Sequence, residues 1–487
     1  IKTTNGGITW KEYAPTYNMI YQLDISNETD YALVGNEIMK TQNGGYSWSN
    51  VGAPIAGVKC GGFDFISKDV GYALVGGSVG TSGTTGMVYK TENGGKSWKK
   101  THNGEVAMED LTSIIFIDEN IGFVSGGFNW RAVMKTINGG ITWNVVAPFH
   151  ASEIQMLNAQ IGFACSDPYT SIGKIYKTSD AGNTWQVVFE HEDGIKSIHF
   201  VNELTGYAVG DSEIAFKTID GGATWQSIEV PYGWYLDVKF FTEQYGFILD
   251  DYGKVFKTYD GGHSWINDLE LYGLRSIEMT DSSVFVAGDF GSILKKDITF
   301  NELIYFDLLS AQSHSPTDAV VQVFIKSGLN LENAELSVEL GLQPGVYNQS
   351  FDIETLNGFV TKSINFELTN LEQQTRYYCR YVIKQGDLTK LSDEISFETQ
   401  VVTGINQDSE TQLVVYPNPA KDLLNVSIKN SVITQYHYEL KDMVGNTISV
   451  GVVGDRGLID VSSFSAGMYF LSIVDQDKRY FRRIVIQ

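Results

Sequence analysis

Short apolar runs follow one another in a fixed order along the first 296 residues. One run has the form of Ile198-His199-Phe200, seen again as Val238-Lys239-Phe240 and Ile114-Ile115-Phe116. The next is Gly-aromatic-apolar, as in Gly71-Tyr72-Ala73-Leu74, Gly206-Tyr207-Ala208-Val209 and Gly246-Phe247-Ile248-Leu249. A third, such as Met87-Val88-Tyr89-Lys90 or Lys254-Val255-Phe256-Lys257, leads into a polar phrase and a tryptophan. Runs this short, rich in β-branched and aromatic residues and bounded by Gly, Asn and Asp, predict strands. With the strand that the tryptophan opens, each unit holds four of them, the composition of one blade in a radial array of sheets.

The polar phrase occurs seven times: KTTNGGITW from Lys2, KTQNGGYSW from Lys40, KTENGGKSW from Lys90, KTINGGITW from Lys135, KTSDAGNTW from Lys177, KTIDGGATW from Lys217 and KTYDGGHSW from Lys257. Successive lysines are 38, 50, 45, 42, 40 and 40 residues apart, a period that marks a repeat architecture. The phrase reads as a turn. Its Asn or Asp (Asn5, Asn43, Asn93, Asn138, Asp180, Asp220, Asp260) can bond nearby backbone N–H groups, and the glycines supply backbone angles closed to other residues. Its tryptophan (Trp10, Trp48, Trp98, Trp143, Trp185, Trp225, Trp265) is expected to pack between neighbouring sheets. Side chains repeated this regularly are turn structure and not one active site.

The ends of the array set the count. Leu274–Met279, Val284–Gly288 and Ser292–Lys296 read as three strands with no tryptophan strand after them, and Ile8–Tyr13 can supply the missing fourth. That predicts seven blades with first and last paired, which removes both free edges. An eighth blade upstream is the alternative, since the chain opens inside a repeat unit, as a fragment or processed form does. The phrase resembles the Asp-box, the bacterial neuraminidase repeat, whose pattern is Ser/Thr-x-Asp-x-Gly-x-Thr/Ser-Trp. Its Lys-Thr-x-Asp/Asn-Gly-Gly form is most similar to propellers of the photosystem II stability-factor type. Sialidases, xyloglucan hydrolases, sorting receptors and assembly factors share the repeat, so the resemblance implies a fold more than a function.

Beyond residue 298 the pattern changes. Residues 302–400 offer about seven longer strands, and Leu371-Glu372-Gln373-Gln374-Thr375-Arg376-Tyr377 resembles the corner of fibronectin type III domains, where the tyrosine hydroxyl bonds upstream backbone. A spacer or stalk is the expected role. A polar linker, 401–413, precedes residues 414–487. Those residues open with Tyr416-Pro417-Asn418-Pro419, continue through a Gly467-Met468-Tyr469 strand and end on a basic strand carrying Arg482 and Arg483. Together these features resemble the C-terminal sorting domain of type IX secretion cargo. The resemblance implies the type IX machinery as a partner, passage across the outer membrane, then removal of the domain with release or lipopolysaccharide attachment. The fold class expected is all-β: a seven-bladed β-propeller (1–298), a fibronectin type III-like sandwich and a small C-terminal β-sandwich.

Composition narrows the function. The net charge of −23 over 487 residues argues against a nucleic-acid partner. No apolar run reaches membrane-span length, no cofactor motif or metal spacing is present, and a monomer is expected. The three cysteines, Cys60, Cys165 and Cys379, are far apart and odd in number, which fits small buried residues. The stretch Gly76 to Gly86 reads as a flexible insertion and lacks the lysine of a phosphate loop.

Candidate ligand-binding residues come from loops that share one end of such an array: Trp130, Arg131, Asp167, Tyr169, Asp211, Tyr232, Trp234, Asp250, Asp251 and Asp289. Trp130 and Trp234 are the two tryptophans outside the repeated position. Aromatic faces beside carboxylates suit sugars or peptides with basic groups. The resemblance to sialidases implies an arginine triad on the substrate carboxylate, yet residues 1–298 hold only Arg131 and Arg275. Xyloglucan hydrolases of this type carry two facing propellers, where this chain has one. The reading is an exported, cell-surface or secreted binding protein for a protein or glycan ligand. The alternative is a glycoside hydrolase using Asp250, Asp251 or Asp289, and an assembly factor ranks third.

Overall fold

The computed structural model describes all residues except 1–9, 14–19, 21, 28–29, 35–37, 44–46, 53, 55–59, 76–85, 102–110, 127–130, 167–171, 401–412, 429–435, 443–446, 454–456 and 476–477. Asn5, Trp130, Asp167, Tyr169 and most of the Gly76 to Gly86 stretch therefore lie outside the described residues. The chain is all-β, with one short α-helix, Phe300–Leu303, among the described residues. It divides into two compact units, Ile1–Gln400 and Val401–Gln487.

Seven four-stranded antiparallel sheets succeed one another in the first unit. The first holds Gln22–Asn27, Asp30–Val34, Ile38–Thr41 and Ser49–Gly52. The next five start with Cys60–Phe65, Leu111–Phe116, Ala151–Met156, Ile195–Phe200 and Tyr235–Phe240. The seventh joins Leu274–Met279, Ser283–Gly288 and Ile293–Asp297 to Lys11–Tyr13, with Lys11 opposite Lys295 and Tyr13 opposite Ile293. The first strand of each sheet touches the first strand of the next, and Leu274–Met279 touches Gln22–Asn27, so the contacts close into a cycle.

Burial explains the sequence pattern. Second strands such as Gly122–Gly126, Gly162–Ser166 and Gly206–Gly210 are buried throughout because a sheet packs on each face. Last strands such as Lys99–Lys100 and Gln226–Ser227 are exposed. The indoles lie where neighbouring sheets meet. Tyr207 of the fifth sheet stacks on Phe240 of the sixth at 3.4 Å, and Phe240 meets Trp265 edge-on at 6.2 Å. Tyr72, Phe116 and Trp143 repeat the arrangement between the second and third sheets, at 3.4 and 5.9 Å.

Inside each turn the repeated residues satisfy one another. Asp220 Oδ1 accepts from the Thr218 hydroxyl at 2.8 Å and the Thr224 amide at 2.9 Å, while the Gly222 amide donates to Thr218 Oγ1 at 3.0 Å. Gly222 has φ +79°, and a Cβ there would stand 2.8 Å from the Phe163 ring, so only glycine fits. The repeated lysine, to which the sequence reading gave no role, reaches the next turn. Lys177 donates to the Gly221 carbonyl at 2.6 Å and Lys217 to the Gly261 carbonyl at 3.0 Å.

First strands are joined by acidic and polar side chains. Asp24 accepts from the Phe65 amide, Asp64 from the Phe116 amide, Glu153 from the Ile198 amide at 2.9 Å and Asp237 from the Ile277 amide at 2.8 Å. Lys239 contacts Glu153 at 2.8 Å across this space. Burial pushes the Asp64 carboxyl up to about 7 and Glu278 to about 8, the latter despite the attraction of Lys239.

Residues 304–398 form two sheets. One runs Ile304–Ser313, Ala319–Ser327, Thr361–Leu368; the other runs Gln349–Gly358, Leu331–Gly341, Arg376–Gln385, Leu388–Leu391, with Ile395–Glu398 also on Arg376–Gln385. The Tyr377 hydroxyl accepts from the upstream Glu372 amide at 2.8 Å. The short helix that leads into this part, Phe300–Leu303, is fixed to the repeated sheets by a buried charge cluster. Glu302 accepts from Lys257 at 2.8 Å, Lys296 at 2.9 Å and the Tyr245 hydroxyl at 2.8 Å, and Asp268 pairs with both lysines at 2.7 Å. Lys326 adds a pair with Asp260 at 3.1 Å.

The second unit contains a three-stranded sheet, Leu413–Tyr416, Leu423–Ile428, Leu458–Asp460, and a four-stranded one, Thr447–Val453, Tyr436–Lys441, Gly467–Asp475, Lys478–Ile486. Cys165 and Cys379 are buried, and burial raises both thiols to about 12; the Cys60 side chain lies outside the described residues.

Candidate functional site

Six of the seven sheets carry a register shift at the start of their first strand. A bulge of this kind adds one residue and re-aims its side chain. In the fifth, sixth and seventh sheets the extra residues are Lys196, Leu236 and Arg275. The residue opposite the strand start is Gly210, Asp250 or Gly288, and the residue that follows it is Asp211, Asp251 or Asp289. Three of the sequence-predicted aspartates thus occupy one repeated position. Asp167 follows Ser166 in the sequence, and Ser166 is opposite Ala151; Asp167 itself lies outside the described residues.

Backbone hydrogen bonds tie these loops into one surface. The Glu213 amide donates to the Gly233 carbonyl at 3.1 Å and the Asp251 amide to Trp234 at 2.8 Å. The Leu271 amide donates to Gly253 at 3.0 Å and the Asp289 amide to Gly273 at 2.8 Å. Asp211, Tyr232, Trp234, Asp250, Asp251 and Asp289 are therefore neighbours along a continuous rim. Arg131 is exposed at the start of the third strand of the third sheet, and no hydrogen bond or ion pair ties it to this group among the described residues.

The carboxylates differ in surroundings. Asp211 pairs with Lys196 at 2.5 Å and Asp289 with Arg275 at 3.1 Å. Asp250 is 1% exposed; its Oδ1 accepts from the Tyr252 amide at 3.0 Å and the Lys254 amide at 2.7 Å, and its Oδ2 is enclosed without a partner. Burial raises the Asp250 carboxyl, against the pull of those two amides. Asp251 is half-buried, with Oδ1 enclosed and unpartnered. Ser212 and Glu213 both lie in the left-handed region, at φ 57° and 64°, which non-glycine residues seldom adopt.

Aromatic rings crown this rim. Tyr232 is 80% exposed, Tyr272 75%, Tyr252 59% and Trp234 54%. Sequence reasoning selected Tyr232 and Trp234 but not Tyr252, Tyr272 or Glu213. Leu271-Tyr272-Gly273 stands before the seventh sheet as Tyr232-Gly233-Trp234 stands before the sixth, a parallel that could have flagged Tyr272. Among the described residues no cluster of His, Cys, Asp and Glu is arranged to hold a metal ion.

In the C-terminal unit the two-proline segment is tied to the terminal strand. Asn418 Nδ2 donates to the Arg483 carbonyl at 3.0 Å, and its Oδ1 accepts from the Val485 amide at 2.7 Å. The Ala420 amide donates to the Val485 carbonyl at 2.8 Å, and the Gln487 amide donates to Ala420 at 2.8 Å. Tyr416, Pro417 and Pro419 remain exposed, and the buried Tyr469 donates its hydroxyl proton to the Ser465 carbonyl at 2.8 Å. Gly467 pairs with Ile486; Arg482 is exposed and Arg483 half-buried. Residues 414–487 match the family described as the secretion system C-terminal sorting domain. The protein is exported. As type IX cargo it is secreted or attached at the cell surface, and the type IX machinery is its partner in export.

No curated protein matches the chain. Among solved structures it is similar to YCF48 bound to D1 peptide, at 17% identity and a TM-score of 0.49, covering 59% of this chain and 96% of that one. It is also similar to YCF48 from Cyanidioschyzon merolae, at 17% identity and a TM-score of 0.48, covering 59% and 98%. A third is the WD40 beta propeller domain of Doa1, at 9% identity and a TM-score of 0.44, covering 58% and 94%. Among the described residues no helix is long and apolar enough to cross a membrane.

Proposed function

We propose that residues 1–298 are a closed seven-bladed Asp-box β-propeller whose loop rim binds a protein or glycan outside the cell. Residues 302–400 are then a fibronectin type III-like module fixed beside it, and 414–487 the export address joined through the 401–413 linker. Support for the propeller comes from the cycle of first strands and the pairing of Lys11–Tyr13 with Ile293–Asp297. The bond from the Glu372 amide to the Tyr377 hydroxyl supports the sandwich.

One observation carries the binding reading. Five aromatic side chains stand exposed among the described residues of 1–400, and four of them, Tyr232, Trp234, Tyr252 and Tyr272, share this rim. Folding gains nothing from exposed rings, whereas a partner gains a large, rigid contact area from each. Hydrolysis has less support. Asp250 lies beneath the Gly233 backbone and Asp289 is held by Arg275, so neither presents a free acid to a substrate. The test is retention of the purified chain on glycan and protein arrays. Binding without turnover that falls when Trp234→Ala and Tyr272→Ala are introduced is expected. Turnover of a polysaccharide that vanishes in Asp250→Asn or Asp251→Asn would replace this reading with the hydrolase.

A further inference from the structure

The three aspartates at the repeated position are not equally served. In the fifth sheet the bulge residue Lys196 meets Asp211 at 2.5 Å, and in the seventh Arg275 meets Asp289 at 3.1 Å. In the sixth, between them, the bulge residue is Leu236, and Asp251 has no ion pair among the described residues. The fold thus shows twice what this position accepts, a cation head paired with a carboxylate; the middle copy has no paired cation of its own, and the Arg275 guanidinium, bound to Asp289, acts on it only from beyond pairing distance.

The surroundings of the middle copy favour the same chemistry. The Asp251 amide is bonded to Trp234, Tyr252 is the next residue, and Tyr272 follows Leu271, whose amide bonds Gly253. The backbone segments that carry three of the exposed rings are thereby tied to the loop of this carboxylate. Below them Asp250 adds an enclosed oxygen without a partner; the residue over it is Gly233, between Tyr232 and Trp234, where a Cβ would stand 3.2 Å from Oδ2. Aromatic faces and carboxylates both attract a cation, and more strongly where water is partly excluded. Resting on the ligand-rim reading above, we propose that this rim receives a guanidinium or ammonium group of a polypeptide partner, which pairs with Asp251 in the place that Lys196 and Arg275 fill in the flanking sheets. The rings spread over three loops, more surface than a lone small cation covers, which suits a side chain presented on a polypeptide.

The test uses the full chain with three probes: a tetra-arginine peptide, free arginine amide and a neutral cello-oligosaccharide, followed by calorimetry or Trp fluorescence. Tetra-arginine binds, and Asp251→Asn and Trp234→Ala each weaken it about tenfold. Trp234→Ala changes no charge, so its effect separates the site from general attraction to an acidic protein. Leu236→Lys supplies the missing cation from within and abolishes peptide binding, while thermal melting holds at or above that of the parent chain. Arginine amide binding as tightly as the peptide would overturn the polypeptide assignment. Peptide affinity unchanged in all three variants would overturn the cation pairing. Trp234-dependent binding of the oligosaccharide alone would overturn it too but leave the ligand rim standing; no Trp234-dependent binding of any probe would sink both.

Discussion

Asparagine and aspartate do the same work in the repeated turn but respond differently to acid. Asn93 Oδ1 and Asp180 Oδ1 each accept the amide of the Ser or Thr four residues on, at 2.9 Å. The amide and hydroxyl of Thr184 hold Asp180 at about 2, and the hydroxyl and amide of Thr224 hold Asp220 at about 2. Both folded values are depressed below the unfolded value of about 3.9. Their contribution is therefore complete above pH 4 and is lost as pH falls toward 2. Asp220→Asn is expected to leave the melting temperature at pH 7 nearly unchanged and to flatten its decline between pH 4 and 2, measured by circular dichroism. The turn residues were legible in the sequence because the bonds that close each turn lie within four residues. The lysine that opens each phrase was not, since its acceptor sits some 44 residues on, in the next turn, for Lys177 and Lys217.

At the scale of the strand, second strands announce themselves as continuous apolar runs because neighbours cover both faces. First strands mix apolar and acidic residues, and only their assembly shows why: Asp24, Asp64, Glu153 and Asp237 each bond the backbone of a strand in another sheet. Asp64 at about 7 and Glu278 at about 8 are raised above their unfolded values, so the folded state holds protons that the unfolded chain releases above pH 4. Stability should fall as pH rises from about 4 through 8 on their account. Asp64→Asn is expected to raise the melting temperature at pH 8 more than at pH 5; an equal shift at both would deny the titration. The bulges that align Asp211, Asp251 and Asp289 were likewise invisible, since a bulge is a property of two paired strands and not of one.

Across the first unit, charged side chains join the repeated sheets to the segment that leads into residues 304–398. Glu302, Lys257, Lys296 and Asp268 form a buried network, and Glu302→Ala strands two buried ammonium groups on one carboxylate. A loss of about 3–5 kcal/mol in a urea or thermal titration is expected. A change below about 1 kcal/mol would mean that the network is hydrated. Export is decided in the other unit. Deleting residues 414–487 should leave the protein in the periplasm of a type IX-competent host, read by fractionation. Asn418→Ala should lower export by loosening the terminal strand, to which Asn418 makes two hydrogen bonds.

The sequence by itself determined the repeated strands and turns and the sorting segment, because each rests on contacts within a few residues or on a contiguous signal. It also pointed to the loops that form the rim. Only the tertiary structure decided which rim aspartates are neutralised, which rings are exposed and where Glu302 is buried. Those outcomes depend on register between strands and on side chains from sheets about 40 residues apart, where no local pattern records the pairing.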